Sequence, residues 1–68
     1  MSMVSSDPSI LAGSMVFSGT RVPVRSLFDY LVAGDSTKDF MDDFPTVSFE
    51  QIRHVLQSAE IAIEKMAA

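Results

Sequence analysis

The sequence predicts a small, mainly α domain in which three helices follow a short extended N-terminal segment. Three observations carry this. Apolar residues recur at helical spacing over Val24–Leu31 and again over Phe49–Met66. Cap-like serines stand at Ser36 and Ser48, just ahead of helical stretches. Gly34 and Pro45 fall between the periodic segments, where a helix has to stop.

Taken in order, Met1–Ser6 is small and polar without periodicity, so residues 1–7 are expected to be disordered and residues 8–68 to form a single domain. Asp7-Pro8 favours a turn, and Ile10-Leu11 is too short for more than an edge strand. Met15-Val16-Phe17 reads as a short strand. Ser18-Gly19-Thr20 is turn chemistry, and Thr20 is expected to bond local backbone. Arg21-Val22-Pro23 is biased to extended geometry because a residue before proline avoids the helical region.

Pro23 suits a first helical turn, where its missing N–H is no loss. Val24, Leu27, Phe28 and Leu31 then lie at i, i+3, i+4 and i+7, which predicts a first helix over Val24–Ala33, stopped by Gly34 in a left-handed conformation. Ser36 and Asp39 form a capping-box pattern for a short second helix with Phe40 and Met41 as its apolar face, ended before Pro45. Ser48 and Gln51 repeat the box for a third helix, with Val47 and Ile52 as a hydrophobic staple. Phe49, Ile52, Val55, Leu56, Ala59, Ile63 and Met66 make its apolar stripe. This helix is expected to run from Phe49 to about Lys65, its second half overhanging the core.

A chain of 68 residues is one domain at most. Such a domain buries only about 60% of its unfolded surface. There is no cysteine to staple it, which suits a reducing cytoplasm. With 47% hydrophobic residues, some apolar surface is expected to meet another chain, and a homodimer follows as the expectation. No apolar run is long enough to span a bilayer, and the N-terminus lacks the charged and apolar regions of a secretory signal. A cytoplasmic location is the corresponding expectation.

The net charge of −4 argues mildly against nucleic acid as a partner. Its distribution says more. Ser9–Phe28 contains Arg21 and Arg25 and no acid, whereas Asp29–Glu50 contains Asp29, Asp35, Asp39, Asp42, Asp43 and Glu50 against Lys38 alone. Enzymatic readings are weak. His54 is a lone histidine on the polar side of the third helix, and nothing accompanies it to build a metal cluster. The serines have no base beside them, and Gly19-Thr20-Arg21 lacks the glycine pattern and lysine of a phosphate loop. No enzyme activity, cofactor or metal is expected. Asp42-Asp43 closes a helix against its own dipole. Compensation is expected from Arg21 or Arg53, or by Asp43 capping the following helix.

Gly19-Thr20-Arg21-Val22-Pro23-Val24, a helix closed by Gly34, then Ser36-Thr37, Asp43-Phe44-Pro45 and Ser48–Ile52 together resemble the domain-of-unknown-function 433 family over about Pro8–Ala59. One departure is visible. Relatives carry a Gly-Gly-Lys-Pro-like stretch where this chain has Ala12-Gly13-Ser14-Met15-Val16-Phe17. The resemblance implies a helix-turn-helix core of homeodomain-like type, with an N-terminal extended or β-hairpin piece that helps dimerise. It also implies an antitoxin-like role, similar to antitoxins of the VapB class, with a nuclease toxin of the PIN type as partner.

For DNA, the protein's own promoter, the second and third helices would form the motif. Gln51, Arg53, His54 and Gln57 would be exposed on the reading helix, and Arg21 and Arg25 would contact phosphate. So few cations predict weak binding with a shallow salt dependence. The alternative is a homodimeric protein-interaction module without DNA contact, its acidic middle facing a basic partner. For Arg21 the preferred role is structural, an ion pair or carbonyl bond that pins the extended segment; the other is a phosphate or partner contact.

Overall fold

The computed structural model describes residues 3–6 and 15–67. Among these, the elements run β1 (Val4–Ser6), β2 (Met15–Phe17), α1 (Val24–Val32), α2 (Thr37–Asp43) and α3 (Phe49–Ala67). The mainly α architecture with a short N-terminal hairpin is the one expected. Asp7-Pro8 and Ile10-Leu11 lie outside the described residues.

The N-terminus departs from expectation. Val4–Ser6, assigned in the sequence to a disordered tail, pairs antiparallel with β2 in the register Val4 to Phe17, Ser5 to Val16 and Ser6 to Met15. Two long-range bonds hold this strand. Ser18 N–H and the Gln51 side-chain amide both donate to the carbonyl of Met3, at 3.0 and 3.3 Å. Val4 packs on the core. None of this has a local sequence signal, because each partner is far away in the chain.

The core is built where β2 and each of the three helices contribute one large side chain. Phe17, Leu27, Phe40 and Ile52 are fully buried, joined by Val47 and Val55. Phe40 is its centre. Its ring lies 5.9 Å from Phe17, 5.2 Å from Tyr30 in an edge-on arrangement and 4.9 Å from Phe44. Tilted and edge-on ring contacts of this kind add roughly 0.5–1.5 kcal/mol each beyond simple burial. Both members of the expected staple, Val47 and Ile52, are in this cluster.

The helix ends follow their chemistry. Pro23 is the N-cap of α1 rather than a first-turn residue, with extended backbone (ψ 139°). After Ala33 the chain leaves α1 through Gly34 at φ +93°. The Gly34 N–H reaches back to the Leu31 carbonyl, and Asp35 N–H to Tyr30, the crossed pair of a Schellman stop. Ser36 and Asp39 close a complete capping box on α2. Ser48 and Gln51 exchange the same bonds at the start of α3, at 3.2 and 3.0 Å.

α3 outruns the core. Val55 is its last buried residue, and every residue from Glu60 to Ala67 is exposed. Ile61, Ile63 and Met66 are left 53, 65 and 82% accessible. Phe49, expected on the buried stripe, is also exposed. It sits at the first helical position, at the end of the stripe, before α3 reaches the core at Ile52.

Candidate interaction surface

The segment Gly19–Val24 is a clasp. Thr20 Oγ1 donates to the Phe17 carbonyl at 2.7 Å and accepts from Val22 N–H at 3.0 Å. Phe17 N–H bonds the Val22 carbonyl, and Val16 bridges to Pro23. The turn works because Gly19 takes φ +77°, a region that costs other residues about 1–2 kcal/mol. Val22 and Val24 pack on the core, so the clasp ties the hairpin to α1.

Arg21, between these anchored neighbours, is exposed and makes no ion pair or hydrogen bond among the described residues. Among the described residues, Thr20 and the backbone pin the segment rather than the Arg21 side chain. Arg25 is also exposed and lies 3.8 Å from Asp29, one turn along α1. A pair so solvated contributes little.

Gln51 requires a correction. Expected as an exposed base-reading residue, it is buried, with 8% accessibility. Its Nε2 donates to the carbonyls of Ser18 and Met3, and its Oε1 accepts the Ser48 N–H. Both ends of the amide are consumed, the nitrogen in holding α3 to the hairpin and the oxygen in capping α3 itself. Arg53, His54 and Gln57 are exposed as expected, and with Met3 and Glu50 they border a shallow depression of about 210 Å³.

A larger concavity lies elsewhere. Tyr30, Asp35, Asp39, Asp42 and Asp43 surround a depression of about 410 Å³ between the end of α1 and α2. Its carboxylates are in different states. Asp39 is held below the usual carboxylate range, first by the backbone N–H of Ser36 and then by the Ser36 hydroxyl. Asp42 pairs with Lys38 at 3.1 Å. Asp43 meets neither Arg21 nor Arg53 and does not cap α3. It accepts a 2.5 Å hydrogen bond from the Tyr30 hydroxyl. That bond, then partial desolvation and the nearby negative charge, raises the Tyr30 phenol above its ordinary value.

Tyr30 was not among the residues singled out in the sequence. The signal available was an aromatic with a polar tip on the helix preceding an uncompensated acidic helix end. Among the described residues, no group of three or more His, Cys, Asp or Glu could hold a metal ion, and no helix is long and apolar enough to cross a membrane.

The described chain is thus a three-helix domain clasped by a hairpin, with one strongly acidic face and an extended third helix. It belongs to the family described as "Protein of unknown function (DUF433)", whose pattern matches residues 4–59. That match begins at β1, which agrees with Val4–Ser6 being part of the folded unit rather than of a tail. The chain is also similar to "Uncharacterized protein y4eO" of Sinorhizobium fredii, with 39% identity over 51 residues. The aligned stretch covers 75% of this chain but only 23% of that relative, so the chain spans about a quarter of the relative's length. No solved structure matches the chain significantly.

Proposed function

We propose that this is a non-catalytic, antitoxin-like interaction domain of the cytoplasm that covers a basic surface on a partner protein, a nuclease of the PIN type. The observation that supports this reading is the acidic depression around Tyr30. Asp35, Asp39, Asp42 and Asp43 are all exposed there, with Lys38 as the one cation beside them among the described residues. A concave face of one sign attracts an oppositely charged surface and speeds its docking. A nuclease cleft that takes a polyanion is such a surface.

The test is co-expression with the product of the adjacent gene, followed by size-exclusion chromatography. A stable complex is expected, weakened on the order of tenfold by Asp35→Asn combined with Asp42→Asn, which remove two charges without touching a cap. Absence of a complex sinks the reading.

A second reading, binding of promoter DNA, is favoured by Arg53, His54 and Gln57 standing exposed together on α3. It has lost Gln51 to the core. A mobility shift on the protein's own promoter at low salt is its test, and no shift removes it.

A further inference from the structure

The geometry points to a second copy of this chain as the occupant of an apolar groove beside α3, with the two α3 helices crossing antiparallel. This does not depend on the nuclease reading. The groove, about 190 Å³, is lined by Val4, Met15 and Val24 on one side and His54, Val55 and Ser58 of α3 on the other. It is therefore an apolar slot between the hairpin, the start of α1 and the middle of α3.

The same helix carries the matching knob. Glu50, His54, Ser58, Ile61 and Lys65 follow one another at steps of four, four, three and four residues, so they share one face of α3. All five are exposed. This stripe is self-complementary when reversed. A two-fold axis at the midpoint between Gln57 and Ser58 sets Ile61 of each copy opposite His54 of the other, at the mouth of its groove. The same axis sets Lys65 opposite Glu50, at both ends of the contact. Ser58, small and near the axis, lets the helices approach.

Two independent features agree on this register. The exposed apolar residue on the stripe meets the apolar groove, and the terminal charges pair with opposite sign. Neither Glu50 nor Lys65 has an ion-pair partner among the described residues. In a closed, isologous dimer each such match occurs twice. The two charges are about 22 Å apart along the helix axis, so they bracket the groove rather than crowd it. Ile63 and Met66 lie off the stripe and take no part in this contact.

Sedimentation equilibrium of the isolated protein tests the proposal without any partner. A dimer is expected at tens of micromolar. Ile61→Glu should give a monomer with an unchanged helical circular dichroism spectrum. Glu50→Lys and Lys65→Glu should each raise the dimer dissociation constant on the order of tenfold, because each reversal acts at two symmetric places. The double reversal should bring it back close to wild type. A wild-type monomer at millimolar concentration overturns the proposal, as does a dimer that Ile61→Glu leaves intact. A double reversal as weak as the single ones overturns the antiparallel register.

Discussion

The side-chain amide of Gln51 donates a 2.9 Å hydrogen bond to the main-chain carbonyl of Ser18, across 33 positions of sequence. The same nitrogen reaches Met3, and the amide oxygen accepts from Ser48. One side chain therefore caps α3 and fastens it to the hairpin. Gln51→Ala should cost about 1–3 kcal/mol, because it takes the amide donor from the part-buried Ser18 carbonyl and the acceptor from the α3 cap. In a domain this small that is a fall in melting temperature of roughly 4–8 °C per kcal/mol. Gln51→Glu, which keeps the acceptor for the cap but loses the amide donor, should be similarly damaging at neutral pH. Thermal melts of both variants decide it, and a Gln51→Ala protein as stable as wild type refutes the brace.

Gln51 was legible as a cap, because a capping box is a local pattern, three residues apart. Its second role was not, because Met3 and Ser18 become its neighbours only after the hairpin docks. The same division runs through the molecule. α1, α2 and α3 announce themselves by periodicity and by Ser36, Gly34 and Ser48. β1 does not, since one valine and two serines give no pattern and are held by contacts made elsewhere. Arg21 could not be placed from sequence because, among the described residues, it is the bonds of its neighbours that fix the segment. The acidic face could be foreseen as a run of charges, but the pairing of Asp43 with Tyr30 depends on how α1 and α2 meet.

The Schellman stop at Gly34 gives a prediction about backbone conformation alone. At φ +93° an L-residue is strained, yet a Cβ there would meet nothing within 4 Å. Gly34→Ala should therefore lose about 1 kcal/mol or somewhat more, from strain with no steric term. Gly34→Asn should lose less, since asparagine tolerates the left-handed region better. Chemical denaturation with an unchanged slope would report this order. Equal losses for Ala and Asn would mean that space, not backbone conformation, sets the requirement.

Acid should test the α2 capping box. The Asp39 carboxyl is held below its ordinary value of 3.8 by its bonds to Ser36. A carboxylate whose pKa is lower in the folded state stabilises the fold fully above the unfolded value, and loses that contribution as pH falls through the folded one. Asp39→Asn should accordingly melt below wild type at neutral pH. The gap should close as pH drops beneath about 4. Melting temperatures of the two proteins from pH 7 to pH 2 provide the check, and a gap that stays constant across that range would show that the charge is irrelevant to the cap.

At the opposite end of the pH scale lies Tyr30, which is the chain's one tyrosine, so tyrosinate absorbance reports it alone. Its hydroxyl donates to Asp43, and that bond is the largest cause of a phenol pKa raised above 10.0, followed by desolvation and the surrounding carboxylates. The bond requires the neutral phenol. A group whose folded pKa is raised contributes stability that is complete below the unfolded value and disappears as pH rises through the folded one. Wild type should therefore melt above Tyr30→Phe at neutral pH, and the two should converge in alkali beyond the folded midpoint. Asp43→Asn should shift the absorbance midpoint down toward the ordinary value, because the first cause is gone while Asp35 and Asp39 remain. Asp35→Asn should shift it less, since Asp35 acts only through its charge. If Asp43→Asn leaves the midpoint where it was, the hydrogen bond joining α1 to the end of α2 is not what holds the phenol proton.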